Sequence, residues 1–247
     1  MRFLIPGASA RDEAARLECL RRKHTLPDHG PWDAVLLPLP VSQISEDCAD
    51  QLPPGQRVIC GRTDAAFDCL SAKRRWRLCR VLEDESFTLE NAALSAEGAL
   101  YAAMREREDA IRGAECLVIG YGRIGKQLTH LLRALGAQVT VAARRPESRK
   151  EAGEGSIPLT LLSRALPDTQ IVFNTVPANI LTESQLSFLP DNALYLELAS
   201  PPYGIPPENA KHTKAKYLLE GGIPGRYCPR SAAALLIDYA ERTVNAP

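Results

Sequence analysis

An excess of charge of either sign is missing: 30 Lys plus Arg stand against 30 Asp plus Glu in 247 residues, a formal net charge of zero. No global positive field is therefore available to hold a nucleic acid or an acidic membrane. Metal-type cysteine spacing is missing as well. The seven cysteines, Cys19, Cys48, Cys60, Cys69, Cys79, Cys116 and Cys228, are odd in number and contain no CxxC and no zinc-ligand pair, so they read as reduced, packed thiols. No bound metal is expected. Nor does any stretch approach the ~20 apolar residues of a membrane span. Met1 to Ala10 holds one short apolar run without a cleavable leader pattern. Internal repeats and low-complexity segments are absent. These absences together predict a cytoplasmic protein with neither nucleic-acid nor membrane partners. The one local basic run, Lys73-Arg74-Arg75-Trp76-Arg77 with Arg80, reads as a solvated helix face.

What is present is the composition of a folded, enzyme-sized chain, 45% hydrophobic and 24% charged. At about 150 residues per domain the length favours two modest domains. Short apolar runs alternate with helical patterns throughout. Strands are predicted at Arg2 to Ile5, Trp32 to Leu37 and Arg57 to Cys60, with helices at Ala10 to Lys23, Ala65 to Leu82 and Ser95 to Ile111, the last two separated by an acidic turn at Glu83 to Ser86. Further strands follow at Cys116 to Ile119, Gln138 to Ala142, near Pro158, Ile171 to Asn174, Ala193 to Leu198 and Lys216 to Leu219, and a final helix at Arg230 to Arg242. Ile124, Leu128, Leu131, Leu132 and Leu135 share one helical face, with Gly136 placed to end that helix, and Thr182 with Gln185 forms a capping box. The expected fold is α/β, with a small N-terminal α/β domain (residues 1–92, joined by the C-terminal segment 230–247) and a doubly wound Rossmann domain with a parallel sheet (residues 93–229).

Gly120-Tyr121-Gly122-Arg123-Ile124-Gly125 is a GxGxxG, weak alone and stronger here because it directly follows a strand and opens an amphipathic helix. Gly120 permits the tight turn, Gly122 admits a pyrophosphate to the backbone, and Gly125 lets helix and strand approach. NAD enzymes place an acid near the end of the next strand. This chain has Ala142-Ala143 running into Arg144 and Arg145, with Ser148 nearby, so a 2′-phosphate and hence NADP is favoured. Asn174-Thr175-Val176-Pro177 and Leu198-Ala199-Ser200, at the ends of later strands, are placed to border the nicotinamide.

The ordered set Asn91-Ala92-Ala93-Leu94-Ser95-Ala96-Glu97-Gly98, Gly120 to Gly125, Ala142-Ala143-Arg144, Asn174 to Pro177, Leu196-Glu197-Leu198-Ala199-Ser200 and Ile223-Pro224-Gly225 with Cys228-Pro229 resembles the dehydrogenase-like component of the dipicolinate synthase family over about Glu83 to Ala240. The first eighty residues match it poorly. Their opening turn, Pro6-Gly7-Ala8-Ser9-Ala10-Arg11, departs from the glycine-rich turn with an acid and an Arg with which that family usually begins, so the resemblance assigns it no substrate contact. The resemblance implies an NADP-linked enzyme of endospore-forming bacteria that makes pyridine-2,6-dicarboxylate. This chain would be its dehydrogenase half, paired with a flavoprotein-like B subunit. Binding a small dicarboxylate calls for cationic or hydroxyl groups, for which Ser95, Arg123, Ser200, Arg226 and Arg230 are the candidates, with Glu97 to take up or relay a proton. Two alternatives stay open at this point. One is a 2-hydroxy acid dehydrogenase, which needs a His base where this chain reads Tyr227-Cys228-Pro229-Arg230-Ser231. The other is a dinucleotide-binding module without chemistry. Oligomeric state, a homo-oligomer included, is not legible.

Overall fold

The computed structural model describes residues 1–246 of the 247; Pro247, the last residue of the expected C-terminal segment, lies outside the described residues. The chain forms two compact units, one built from Met1–Leu94 with the segment from Pro224 onward, the other from Ser95–Ile223.

In the first unit β1 (Phe3–Leu4), α1 (Ala10–Arg21), β2 (Ala34–Leu36), α2 (Glu46–Gln51), β3 (Arg57–Cys60), α3 (Ala65–Lys73) and β4 (Arg77–Arg80) give four parallel strands in sequence order, followed by α4 (Glu85–Glu106). Both faces of this sheet are covered, so its central strands β2 and β3 read as apolar runs rather than alternating ones. Phe3, Leu36 and Ile59 pack with Phe87, Leu236 and Ile237 on one face, while Val35, Val58 and Leu37 pack with Trp32, Phe67 and Trp76 on the other. Ser9 starts α1 with a capping box to Asp12. A side chain at Gly7 would overlap the Asp12 carboxylate, which explains the glycine just before that cap.

Two expectations for this region need correction. The helix predicted from Ala65 to Leu82 stops at Lys73. Arg75 turns the chain at φ 57°, Trp76 is buried, and Arg77–Arg80 pairs in register with Arg57–Cys60 as a strand. The basic run is accordingly spread over a helix end, a turn and an edge strand rather than one helix face, with Arg74 paired to Asp50 and Arg80 to Asp68. The helix predicted from Ser95 begins ten residues earlier in the acidic turn itself, because Asp84 Oδ1 accepts the Phe87 N–H at 2.7 Å and caps it. An acidic cluster before an apolar run is a helix start, not a loop.

The second unit continues with β5 (Glu115–Ile119), α5 (Arg123–Ala134), β6 (Gln138–Ala142), α6 (Pro146–Ala152), β7 (Ser156–Ile157), α7 (Leu162–Ala165), β8 (Ile171–Asn174), α8 (Glu183–Leu186), β9 (Leu194–Glu197) and β10 (Lys216–Leu219). The chain then returns to the first unit with α9 (Ile223–Tyr227) and α10 (Pro229–Asn245), and α10 packs on α1 within that unit. All six strands are parallel, in the order β10-β9-β8-β5-β6-β7. The chain starts in the middle, winds outward through β6 and β7, and returns to the other side of β5 at β8: the doubly wound Rossmann arrangement, whose switch point lies between the carboxyl ends of β5 and β8. Gly136 ends α5 at φ +82°, and the Thr182–Gln185 capping box opens α8. Among the described residues no helix is long and apolar enough to cross a membrane.

Candidate functional site

The glycine turn occupies the switch point. Gly120 follows β5 directly at φ +97°, and a side chain there would overlap Thr175 Oγ1 and reach Val176 Cγ2 at 2.8 Å. A side chain at Gly125 would run into the carbonyl oxygen of Gly120, so α5 can lie this close to β5 only with glycine. Gly122 differs: nothing lies within 4 Å of where its Cβ would be. It is the N-cap of the 12-residue α5, with no side chain capping the helix and no acid in the first turn. The first N–H groups of α5 and the positive end of its dipole thus face open space, which is what a diphosphate requires.

That space is a cavity of about 540 Å³ bordered by Gly120, Gly122, Arg144, Arg145, Thr175 and Pro177 among others. A second cavity, of about 420 Å³, lies by Glu115, Cys116 and Asp168 at the amino-terminal start of β5. Open parallel sheets take their ligands at the carboxyl ends, so the first cavity is the candidate site. Arg144 and Arg145 follow β6 and are exposed on its rim. Their loop is held from behind by Arg149, whose Nη1 donates to the carbonyls of Ala143 (2.9 Å) and Arg144 (2.7 Å). Sequence reasoning assigns Arg149 no role. Across the turn Thr175 Oγ1 donates to Ile119 O at 2.9 Å, locking the β8 loop against the end of β5. Tyr121 carries the Lys126 ammonium over its ring at 5.6 Å. Arg123 and Ile124 form the first turn of α5, the former exposed and the latter half-buried.

Asn174 stands apart from its three successors. It is fully buried, its Nδ2 donates to Glu197 Oε1 (2.6 Å) and Val176 O (3.0 Å), and its Oδ1 accepts the Val176 N–H (3.1 Å). Its side chain is committed to shaping the loop. The partner, Glu197, is a fully buried carboxylate at the end of β9. Besides Asn174 it accepts from Ala199 N (3.1 Å), Gly204 N (2.9 Å), Ile205 N (3.2 Å) and Tyr195 OH (3.4 Å). Burial pushes its pKa above the ordinary glutamate value, opposed by the donors from Asn174, Ile205, Ala199 and Gly204. One acid therefore ties the β8 loop bordering the cavity to the loop that carries Ser200 and the Pro201–Pro202 turn. The only sequence signal for it is a lone charge in the apolar run Leu194-Tyr195-Leu196-Glu197-Leu198.

The residues expected to perform chemistry come from three separate elements. Ser95 is buried in the interior of α4, and Glu97, two positions on, is exposed. Two residues apart on a helix is ~200° around its axis, so the pair cannot share a face. Ser200 is half-buried after β9, where its carbonyl accepts the Tyr203 N–H at 3.1 Å. Arg230 is exposed in the first turn of α10, in the first unit.

A doubly wound parallel sheet whose glycine turn leaves a helix N-terminus open at the switch point is the Rossmann-type, dinucleotide-binding class of fold. In agreement, residues 88–197 match the family model "D-isomer specific 2-hydroxyacid dehydrogenase, NAD binding domain". More particularly, the chain resembles the A component of dipicolinate synthase. It is 29% identical to that protein from Bacillus subtilis (strain 168) over 202 residues, 81% of this chain and 68% of the relative. The crystal structure of the same component from Bacillus halodurans superposes with a TM-score of 0.87 at 24% identity, covering 100% of this chain and 98% of that one. Its Bacillus subtilis counterpart gives 0.83 at 23%, covering 98% and 95%.

Proposed function

We propose that this chain is the dehydrogenase subunit of a dipicolinate-forming enzyme, oxidising a dihydropyridine-2,6-dicarboxylate to pyridine-2,6-dicarboxylate with NADP as acceptor. The observation that carries the reading is the uncapped start of α5 opening into a cavity rimmed by two arginines. A bound nicotinamide would supply the hydride acceptor. The N–H groups after Gly122 would hold the diphosphate, flanked by Tyr121, Arg123 and Ile124. Arg144 and Arg145 would hold a 2′-phosphate, and Thr175, Val176 and Pro177 would wall the nicotinamide end, with Asn174 bracing them. Loss of a hydride from one ring carbon and of a proton from its neighbour makes the ring aromatic, so the substrate itself supplies much of the driving force. The protein's task is positioning and charge neutralisation. Ser95, Ser200 and Arg230 are the proposed contacts on the substrate side and Glu97 the proposed proton carrier. A flavoprotein-like B subunit for a partner and a cytoplasmic location complete the reading.

The experiment is direct. The chain, by itself and with its partner protein, is given the dihydropyridine and NADP, and nicotinamide absorbance is followed. Growth of the reduced-cofactor signal supports the proposal. Turnover of simple 2-hydroxy acids instead would favour the second reading, which the matched family model brings forward. Against that reading, no histidine borders the cavity at the glycine turn among the described residues, and both ring nitrogens of His24 are engaged, by Glu241 (2.6 Å) and the N-terminal amine (3.3 Å). Cofactor choice has its own check. The double variant R144A/R145A should raise the Kd for NADP by ~10-fold or more while changing that for NAD by less than ~3-fold, since charge-assisted bonds contribute about 1.5–3 kcal/mol each. Equal weakening of both cofactors would remove the 2′-phosphate assignment.

A further inference from the structure

We infer that Arg11, at the start of α1 in the first unit, is the anchor for one carboxylate of the substrate. This rests on the dicarboxylate reading above for the identity of the substrate but not for the existence of the site. Arg11 is 5% exposed, and its Nε has no hydrogen-bond partner among the described residues. Arginine is almost never buried unpaired, because a desolvated guanidinium without acceptors is strongly disfavoured. Other arginines of the same region show the usual solution. Arg16 donates to the carbonyls of Ile5 (2.7 Å) and Gly7, and Arg22 pairs with Glu18 (2.7 Å), Asp238 (2.6 Å) and Glu241 (3.0 Å). Arg11 alone among these is left with an open donor.

The acid beside it, Asp12, belongs to the helix cap. Asp12 Oδ2 accepts from the Ser9 backbone N (2.9 Å) and hydroxyl (2.6 Å) in the capping box, and Asp12 acts on Arg11 as a nearby charge without a hydrogen bond to it. Burial accordingly lowers the Arg11 pKa from its ordinary value, the mark of a cation short of compensation. The side chain also has a built seat. A Cβ at Gly225 would lie 3.3 Å from Arg11 Nε and 3.7 Å from its Cζ, so the glycine of Ile223-Pro224-Gly225 lets the backbone close on the guanidinium. Its place in the fold fits a ligand as well, since α1 follows β1 and its N-terminus stands at the carboxyl end of the first unit's parallel strands. A planar fork with one positive charge, reinforced by the first turn of a 12-residue helix, matches the two oxygens of a carboxylate. The cofactor's diphosphate has its own cradle at α5, which leaves the organic acid as occupant.

The test is calorimetric titration of the full chain, saturated with NADP, using pyridine-2,6-dicarboxylate, benzoate and pyruvate as probes, on the natural sequence and on R11M and R11K. The expected result is that at least one carboxylate binds the natural chain and that R11M weakens it by roughly tenfold or more. R11K, which keeps the charge and loses the fork, should weaken it less. The Kd for NADP should be unchanged in both, and the melting temperature of R11M should stay level or rise, because an uncompensated buried charge has been removed. A purely structural arginine predicts the opposite sign, so an R11M that melts lower or fails to fold overturns the site. So does equal carboxylate binding by all three chains, or no carboxylate binding by the natural one. The two layers separate cleanly. If pyruvate or benzoate binds through Arg11 while the dicarboxylate does not, the site stands and the proposed substrate falls. If the dicarboxylate binds equally with and without Arg11, the substrate stands and the site falls.

Discussion

Replacing Glu197 by alanine is expected to lower the melting temperature by about 10 °C. Five donors, Asn174 Nδ2, the Tyr195 hydroxyl and the N–H groups of Ala199, Gly204 and Ile205, would lose their acceptor in a largely buried region. Each unsatisfied buried donor costs about 1–3 kcal/mol, so losing several together costs roughly 3–5 kcal/mol in all once the site relaxes. For a chain of this size one kcal/mol corresponds to roughly 2–4 °C. The loss should not stay local. Asn174 released from Glu197 no longer fixes the Val176 backbone, so dinucleotide affinity should fall with stability even though Glu197 itself does not border the cavity. Calorimetry with and without NADP(H) reads both effects, and an E197A chain melting within ~2 °C of the natural one would refute the brace.

The pH behaviour follows from the same burial. The Glu197 pKa is raised from an ordinary value of 4.5, so the folded chain holds this proton more tightly than the unfolded chain does. Its contribution is fully present below the ordinary value and is lost as pH rises through the higher folded value. E197Q, unable to titrate, should lack that slope while still melting below the natural chain, because its amide nitrogen presents hydrogens to donors.

Much of this site is legible in the linear chain. Gly120 to Gly125 carries its meaning locally: a strand, three glycines and an amphipathic helix are consecutive in sequence, and the steric need for Gly120 and Gly125 involves neighbours within five residues or the next strand but two. The absence of an acid after β6 is likewise a one-position observation. What escapes a linear reading is tertiary. β4 reads as helix because Arg77–Arg80 is an edge strand of four residues whose identity comes from pairing with Arg57–Cys60, and Trp76 gives the segment an apolar helical face. The start of α4 is hidden because Glu83 to Ser86 looks equally like a polar loop until the Phe87 N–H is seen on Asp84. Glu197, Arg149 and Arg11 share a different difficulty. A charged residue is exposed by default, and nothing in a linear pattern tells that Glu197 meets Asn174 across β8 and β9, or that Arg11 lies under a glycine more than two hundred positions away.

Gly125→Ala and Gly122→Ala, three residues apart in one motif, should fail in different ways. A methyl group at 125 has no room, since it would press on the Gly120 carbonyl oxygen, which is backbone and cannot rotate aside. Overpacking of this kind costs about 1–3 kcal/mol, and the strain can be relieved only by lifting α5 away from β5. That movement displaces the N–H groups which the uncapped helix start offers to a phosphate. G125A should therefore melt ~3–8 °C lower and bind NADP about 100-fold more weakly, a loss of ~2.8 kcal/mol. At 122 the methyl group meets nothing within 4 Å, and the backbone, at φ −86°, is ordinary for alanine. G122A should melt within ~2 °C of the natural chain. Its methyl group would nevertheless stand where a diphosphate must approach the backbone, so affinity should fall by ~10-fold or more with fold and stability intact. Thermal melts beside NADP titrations distinguish the two patterns. A G122A chain that binds the dinucleotide as tightly as the natural sequence would mean that the open side of this turn is not the side a cofactor uses, and the functional reading built on it would have to be given up.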